Sequence, residues 1–276
     1  MKPATVFLTA LLFVTACNRP DEAPGEDAPP APAVRSRELA ANFPLLPLIE
    51  KPLWRELLAA EEAQTTAAGA EKQAATRDVD RIARVLETRH PFKLGGGEME
   101  LGGLVYDIAG QRLRIPAKVE FPDATDTRHP HEVEVMLCTL AGRLHETLFV
   151  AEIRPLHLEL LLHLGGHRKS PEPELFRIDV HTECGERIAM DSLVRTAGGE
   201  PLDRPLLWEF SGSDFEDLYP PDLSGDLAIF WHAHDSVLRI AHEGIATGLI
   251  TLHPVPHPAL PNGTRVTLQV IPAGDG

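Results

Sequence analysis

The residues from Arg154 to Gly166, which read RPLHLELLLHLGG, decide the fold of this chain. The proline suits the first turn of a helix and the closing glycines predict its end, so we expect a helix over about residues 155–164. Leucines lie on nearly all sides of this helix, which predicts that it is buried. On either side of it, short apolar or alternating runs separated by glycine and proline predict β-strands. The sequence therefore predicts an α+β fold, mainly β, in which an antiparallel β-rich domain contains one buried helix.

The β-rich domain is expected to extend over residues 91–272. Aromatic residues within it, such as Trp208 and Phe230, are expected to fill the core, and lining a ligand groove is the alternative. The strands are predicted at residues 98–101, 104–108, 111–115, 117–121, 132–140, 147–151, 174–180, 206–210, 226–230, 245–252 and 264–271.

Residues 36–90 form a predicted helical segment before this domain. Pro52 suits the first turn of one helix, and the alanine-rich stretch that follows has high helix propensity, with Gly69 as the expected interruption. We expect the apolar stripe of this stretch to pack on the β-rich domain, and packing on a partner protein is the alternative. The stripe recurs with helical spacing and comprises Val79, Ile82, Ala83, Val85 and Leu86.

The N-terminus carries the features of a bacterial lipoprotein signal. Lys2 is followed by an apolar stretch too short to cross a bilayer, and residues 12–17 read LFVTAC. This run resembles the lipobox, in which small residues precede a cysteine that becomes the lipidated first residue. The sequence therefore predicts a signal peptide over residues 1–16 and membrane attachment through a lipid on Cys17. An ordinary cleaved signal peptide with a chance cysteine is the alternative.

Residues 17–35 are rich in proline, alanine and acidic side chains, which predicts a disordered tether. Because a lipid would hold the protein at a membrane, we expect a protein of the bacterial cell envelope that faces the periplasm. Asn18, and not aspartate, follows the cysteine, which in enteric bacteria favours the outer membrane. The net charge of −15 argues against nucleic acid as a partner, since phosphate backbones attract basic surfaces.

Two cysteines remain once Cys17 is assigned to the lipid. Cys138 and Cys184 form an even pair in an oxidising compartment, which makes a disulfide between them one interpretation. The alternative is two free thiols, with Cys138 as a small buried apolar residue of a strand.

Several short motifs occur in a fixed order along the β-rich domain. They are IPAKV at 115–119, CT at 138–139, GRLHET at 142–147, RP at 154–155, LLLHLG at 160–165, WEFSGS at 208–213, DSVL at 235–238 and PNGTRVTL at 261–268. In this order, and over about residues 92–272, they resemble the YdjY-like domain of bacterial envelope proteins. The resemblance implies an envelope protein but no particular reaction, because that family has no established activity.

Histidines are the candidate metal ligands. His232 and His234 are two residues apart, which would place both imidazoles on one face of a strand, a spacing that zinc and copper sites use. His145 is the third candidate, either as a ligand or as a general base that Glu146 orients.

Each of these positions also has a structural interpretation. His145 would cap a hairpin, and Glu146 would pair with Arg143 or Arg154. The histidines of the leucine-rich helix, His157 and His163, are interpreted in the same way, as buried core residues with satisfied hydrogen bonds.

Two classes of function follow from these residues. The preferred one is a membrane-anchored envelope lipoprotein that acts as a non-catalytic binding or assembly module for an envelope protein partner, without a cofactor. The alternative is a metal-binding protein or metal-dependent hydrolase, with zinc or copper held by His145, His232 and His234. We prefer the first because every candidate site also has a structural explanation.

Overall fold

The structure of the chain is a computed structural model that describes residues 34–122, 132–211, 219–231 and 235–274. The strands of these residues are β1 (Phe92–Gly95), β2 (Glu98–Leu101), β3 (Leu104–Asp107), β4 (Arg112–Val119), β5 (Val135–Cys138), β6 (Thr147–Val150), β7 (Leu175–Thr182), β8 (Arg187–Ala189), β9 (Val194–Thr196), β10 (Trp208–Phe210), β11 (Asp226–Ile229), β12 (Leu238–Ile240), β13 (Leu252–Pro254) and β14 (Arg265–Pro272). The helices are α1 (Arg35–Asn42), α2 (Leu46–Ile49), α3 (Lys51–Thr66), α4 (Gly69–Arg89), α5 (Pro155–Leu164), α6 (Pro220–Ser224) and α7 (Glu243–Ala246), with 3-10 turns at Leu144–Glu146 and Met190–Leu193.

Eight of the strands close into a barrel. Each pairs with the next in the order β4-β14-β7-β10-β12-β11-β5-β6, and β6 returns to β4 by pairing Val150 with Lys118 and Phe149 with Val119. The pairs β5–β6 and β11–β12 are parallel, and the other pairs of the ring are antiparallel. Outside the ring, β1 to β3 extend the sheet from β4, β8 pairs with β7, and β9 pairs with β13 in a separate small sheet.

Strand β4 runs through a proline because it changes partners there. On one side, β14 pairs along the whole strand, including Pro116 with Thr267. On the other side, β3 pairs as far as Arg114 and β6 begins at Lys118. A proline lacks the N–H that a second neighbour would need, so it fits the position between those two partners. The two strands predicted at 111–115 and 117–121 are therefore one strand.

Helix α5 lies in the main apolar core, as its sequence predicts. Its residues from Pro155 to Leu162 are all buried. The helix contacts β2, β3 and α6, and its leucines join the same core cluster as the barrel residues. The buried helix predicted over about residues 155–164 is thus confirmed.

The four N-terminal helices pack on the β-rich part of the chain. Ile82 and Leu86 of α4 are fully buried, and they belong to the core cluster that includes barrel residues. The Phe43 ring stacks on Phe92 of β1, with ring centroids 4.9 Å apart. The apolar stripe of α4 therefore lies in the same buried core as barrel residues, and α4 also packs against α1 and α3. Gly69, at a φ of 56°, begins α4 and separates it from α3, as expected.

The predicted fold class, α+β and mainly β, is confirmed, and two strand pairs are parallel where the sequence predicts antiparallel pairing. The strand predicted at 245–252 is wrong, because α7 includes its first residues and the turn at Gly248 separates them from β13.

The predicted signal peptide at 1–16 and tether residues up to 33 lie outside the described residues. Within the described residues, no helix combines the length and the apolar character that crossing a bilayer requires.

Candidate functional site

The structure describes one of the three candidate metal ligands. His145 is exposed in the 3-10 turn Leu144–Glu146. His232 and His234 lie outside the described residues, so the structure does not place them relative to His145. Among the residues that it does describe, no group of three or more histidine, cysteine, aspartate or glutamate side chains is arranged to hold a metal ion.

Arg143, two residues before His145, forms ion pairs with acidic side chains beside the 3-10 turn. Its guanidinium nitrogens lie 2.6 Å from Asp226 Oδ2 and 3.3 Å from Glu146 Oε1. The pairing of Glu146 with Arg143, expected from the structural interpretation, is confirmed. The guanidinium also lies 3.8 Å from the ring centroid of Trp231, a cation–π contact. Burial raises the pKa of the Asp226 carboxyl, and the hydrogen bond from Arg143 opposes that shift.

The disulfide considered between Cys138 and Cys184 is not formed in the structure. Both cysteines are free: Cys138 is fully buried in β5, and Cys184 is exposed in the turn between β7 and β8. Burial raises the pKa of the Cys138 thiol to about 11, which makes it a poor nucleophile at neutral pH. The alternative of two free thiols, with Cys138 as a buried apolar residue, describes this structure.

Helix α5 is positioned by an acidic residue from α6. Asp222 accepts a hydrogen bond from the backbone N–H of Leu156 at 3.0 Å, and its other oxygen lies 2.6 Å from Arg154 Nε. The first N–H groups of a helix have no partner within the helix, so this carboxylate caps α5 from outside. Asp222 thus stabilises the first turn of the buried helix.

Two further polar residues of α5 contact a tyrosine and a phenylalanine. The Tyr219 hydroxyl donates a hydrogen bond to the buried Glu159 carboxylate, and His163 Nε2 lies 3.4 Å from the other Glu159 oxygen. The His163 ring packs edge-on against Phe210, with centroids 5.0 Å apart. Burial and the negative charge of Glu159 raise the pKa of Tyr219.

Glu50, His90 and His157 form a buried chain of hydrogen bonds, which we call the histidine chain. His90 Nε2 lies 2.9 Å from Glu50 Oε1, and His90 Nδ1 lies 3.2 Å from His157 Nε2. Each of the three residues is less than a tenth exposed. The hydrogen bond from His90, with the charge of Arg89 adding, lowers the pKa of the Glu50 carboxyl. The chain joins the α2–α3 junction and the end of α4 to α5.

The far end of the histidine chain has no hydrogen-bond partner. His157 Nδ1 is buried and unpaired, and Gly102 of the β2–β3 turn packs against it so closely that a Cβ at Gly102 would lie 2.1 Å away. Burial, together with the charges of His90 and Arg154, lowers the pKa of His157 to about 4. His157 is therefore a buried core residue, as interpreted from the sequence, but only its Nε2 has a hydrogen-bond partner and its Nδ1 does not.

A cleft of about 640 Å³ opens at the start of α5, beside the histidine chain. His157 and Gly102 form part of its wall, and Arg89, Arg154 and Asp222 also line it. The histidine chain therefore leads from the N-terminal helices to the wall of this cleft.

A larger groove of about 730 Å³ lies against β4, β14 and β7. Its apolar lining includes Val150 and Val266, and Leu140 and Leu144 stand at its side, 66% and 38% exposed. Two ion pairs flank the groove, Lys118 Nζ with Glu152 at 2.6 Å and Arg265 Nε with Glu183 at 3.1 Å, and Glu120 also lines it. The groove therefore offers apolar surface beside two paired sets of charges.

No protein-family model matches the chain, and no curated protein or solved structure shows significant similarity to it.

Sequence reasoning missed Glu50, His90 and Asp222. Their partners are 40, 67 and 66 residues away along the chain, so no local pattern links them. The only local signal was the pair His90-Pro91, which ends a helix and places a histidine next to the first strand.

Proposed function

We propose that this chain is a lipid-anchored protein of the bacterial cell envelope, whose barrel binds another envelope protein through the groove beside Leu140 and Leu144. The exposure of these two leucines supports the binding role, because a leucine that stands free beside an apolar groove gains free energy when a partner covers it. Because Lys118 and Arg265 are already paired with carboxylates, the groove favours an apolar segment of the partner.

The anchor part of the proposal depends on the sequence. The run LFVTAC at 12–17 and the proline-rich segment after it are what a lipoprotein signal and tether would require. Kinship with the YdjY-like domain is also a proposal, supported by the order of the short motifs between residues 115 and 268.

Site-specific photo-crosslinking in cells that produce the full-length chain tests the groove. We expect a crosslinkable phenylalanine analogue at Leu144 to give a discrete adduct, and the additional change Leu140→Glu to reduce that adduct at least ten-fold. Leu249 is 84% exposed and does not line the groove, so the same analogue there is the matched control. Equal adducts from both positions, or an adduct that Leu140→Glu leaves unchanged, would contradict the proposal.

A further inference from the structure

The contact between the N-terminal helices and α5 includes a histidine, His157, that resists protonation while the helices are packed. When both rings are neutral, His90 Nε2–H donates to Glu50, and His157 Nε2–H donates to His90 Nδ1. That arrangement leaves His157 Nδ1 as a bare acceptor, buried against Gly102. A proton added to Nδ1 would be a buried N–H without an acceptor, on a ring that had become charged.

Arg154 precedes His157 on α5, and its positive charge makes this protonation more costly. His90 of α4 adds to the cost only when its own ring is charged. A hydrogen bond to the Arg89 backbone is a smaller effect that favours the protonated ring. Glu50 is the carboxylate of the histidine chain, and it contacts His90 and Arg89 but not His157. Asp222 of α6 is paired with Arg154. Among the described residues, no carboxylate forms a hydrogen bond with His157 Nδ1, and the surrounding structure therefore keeps the ring neutral.

We propose that the histidine chain is an acid-sensitive switch: it holds helices α1 to α4 on the barrel at neutral pH, and acidification separates them from it. Separation exposes His157 to water, where its second nitrogen can take a proton. This inference does not depend on the groove proposed above, since no residue of the histidine chain or of α5 lines that groove and no partner is involved. It concerns a regulatory change that an envelope protein would undergo as the surrounding medium becomes acidic.

The direction of the effect follows from proton binding. In the packed state the pKa of His157 is about 4, and in the separated state it returns to the ordinary value of 6.5. Between these values the separated state binds more protons, so the separated population rises as pH falls, by up to ten-fold per pH unit. Over the whole window the change is about 300-fold. Glu50 acts in the same direction at lower pH, because separation removes the hydrogen bond that lowers its pKa.

Hydrogen exchange of the full-length chain in detergent between pH 7 and pH 4, corrected for intrinsic rates, tests the switch. We expect exchange in α4 to accelerate as pH falls while β14 stays protected. The variant His157→Gln keeps a donor for His90 but has no group that titrates, so its α4 should lose this pH dependence. His145→Gln, which removes an exposed histidine elsewhere, is the matched control and should behave like the unchanged chain.

Loss of protection in α4 and β14 at the same pH would overturn the proposal, as would an unchanged pH dependence in His157→Gln. Nitrogen NMR of the histidine rings gives a second readout that needs no variant at position 157. We expect His157 to carry its proton on Nε2 at pH 7 and to gain the second proton together with the change in α4. A proton on Nδ1 at pH 7 would also overturn the proposal.

Discussion

Gly102 shows how one residue can be required both by the backbone and by its neighbour. It adopts a φ of 57° in the turn between β2 and β3, a conformation that side chains other than glycine disfavour. The same position also packs against the His157 ring, where there is no room for a methyl group. Gly103 follows with a φ of 87° but has open space around the position of a Cβ. Replacing Gly103 would therefore strain only the backbone, whereas replacing Gly102 would strain the backbone and also crowd the His157 ring.

We expect Gly102→Ala to lower the free energy of unfolding by about 2–4 kcal/mol, since it adds overpacking to an unfavourable φ. Gly103→Ala should cost only the backbone part, about 1 kcal/mol. Urea denaturation of both variants measures the difference. Equal losses would show that the contact between Gly102 and His157 does not constrain the turn.

The two thiols should differ in reactivity. With Cys17 replaced by serine, we expect one thiol of the folded, unreduced chain to react with a thiol reagent at neutral pH, namely the exposed Cys184. Cys138 should react only after denaturation, because burial shields it and raises its pKa to about 11. Finding no reactive thiol in the denatured, unreduced chain would show that the two residues form a disulfide.

At the scale of the elements, α5 could be predicted almost to the residue because its signals are local. Pro155 starts it, glycines end it, and leucines fill it. Strand β2 coincides with its predicted range for the same reason, since its alternation is complete within four residues. Short strands such as β8 and β12 could not be predicted, because three residues carry too little periodicity and only pairing with a distant neighbour defines them.

The cap on α5 could not be predicted either, because Asp222 lies in α6, 66 residues after the Leu156 N–H that it accepts from. We expect Asp222→Ala to reduce the free energy of unfolding by about 1–3 kcal/mol, because it removes the acceptor for Leu156 N–H and the partner of Arg154. Asp222→Asn keeps the acceptor and should cost less. Asp78→Ala removes an exposed carboxylate near Arg81 and is the control, with an expected change within about 0.5 kcal/mol. Thermal denaturation of the three variants compares them.

At the scale of the whole molecule, the fold class could be predicted from the sequence, but the closure of eight strands into a barrel could not. Closure depends on the pairing of β4 with β6 and on β14 lying between β4 and β7, which are contacts between distant parts of the chain. The same distinction applies to the candidate site. The pair of Glu146 with Arg143, three residues away, can be predicted from the sequence. The histidine chain joins residues far apart in the sequence and cannot.

The proposed attachment to the membrane concerns the whole chain and would depend on one residue, Cys17. We expect radiolabelled palmitate to be incorporated into the full-length protein and not into Cys17→Ser, which should then leave the membrane fraction. Cys184→Ser is the matched control and should retain the label. Label in Cys17→Ser would show that the lipid is attached elsewhere.

The metal alternative is tested by elemental analysis of chain purified without a histidine tag. We expect zinc and copper below stoichiometric amounts, in line with the preferred binding role. One equivalent of either metal, lost in a chain with both His232→Ala and His234→Ala, would favour the alternative function instead.

The position of β14 has a consequence for how the protein is made. This strand, the last that the structure describes, lies between β4 and β7 and pairs with both along nearly its full length. A ribosome must therefore complete almost all of the described residues before the ring can form. Until then the ring cannot close, and a polypeptide whose ring is unclosed is what the proposed envelope location would require for export across a membrane.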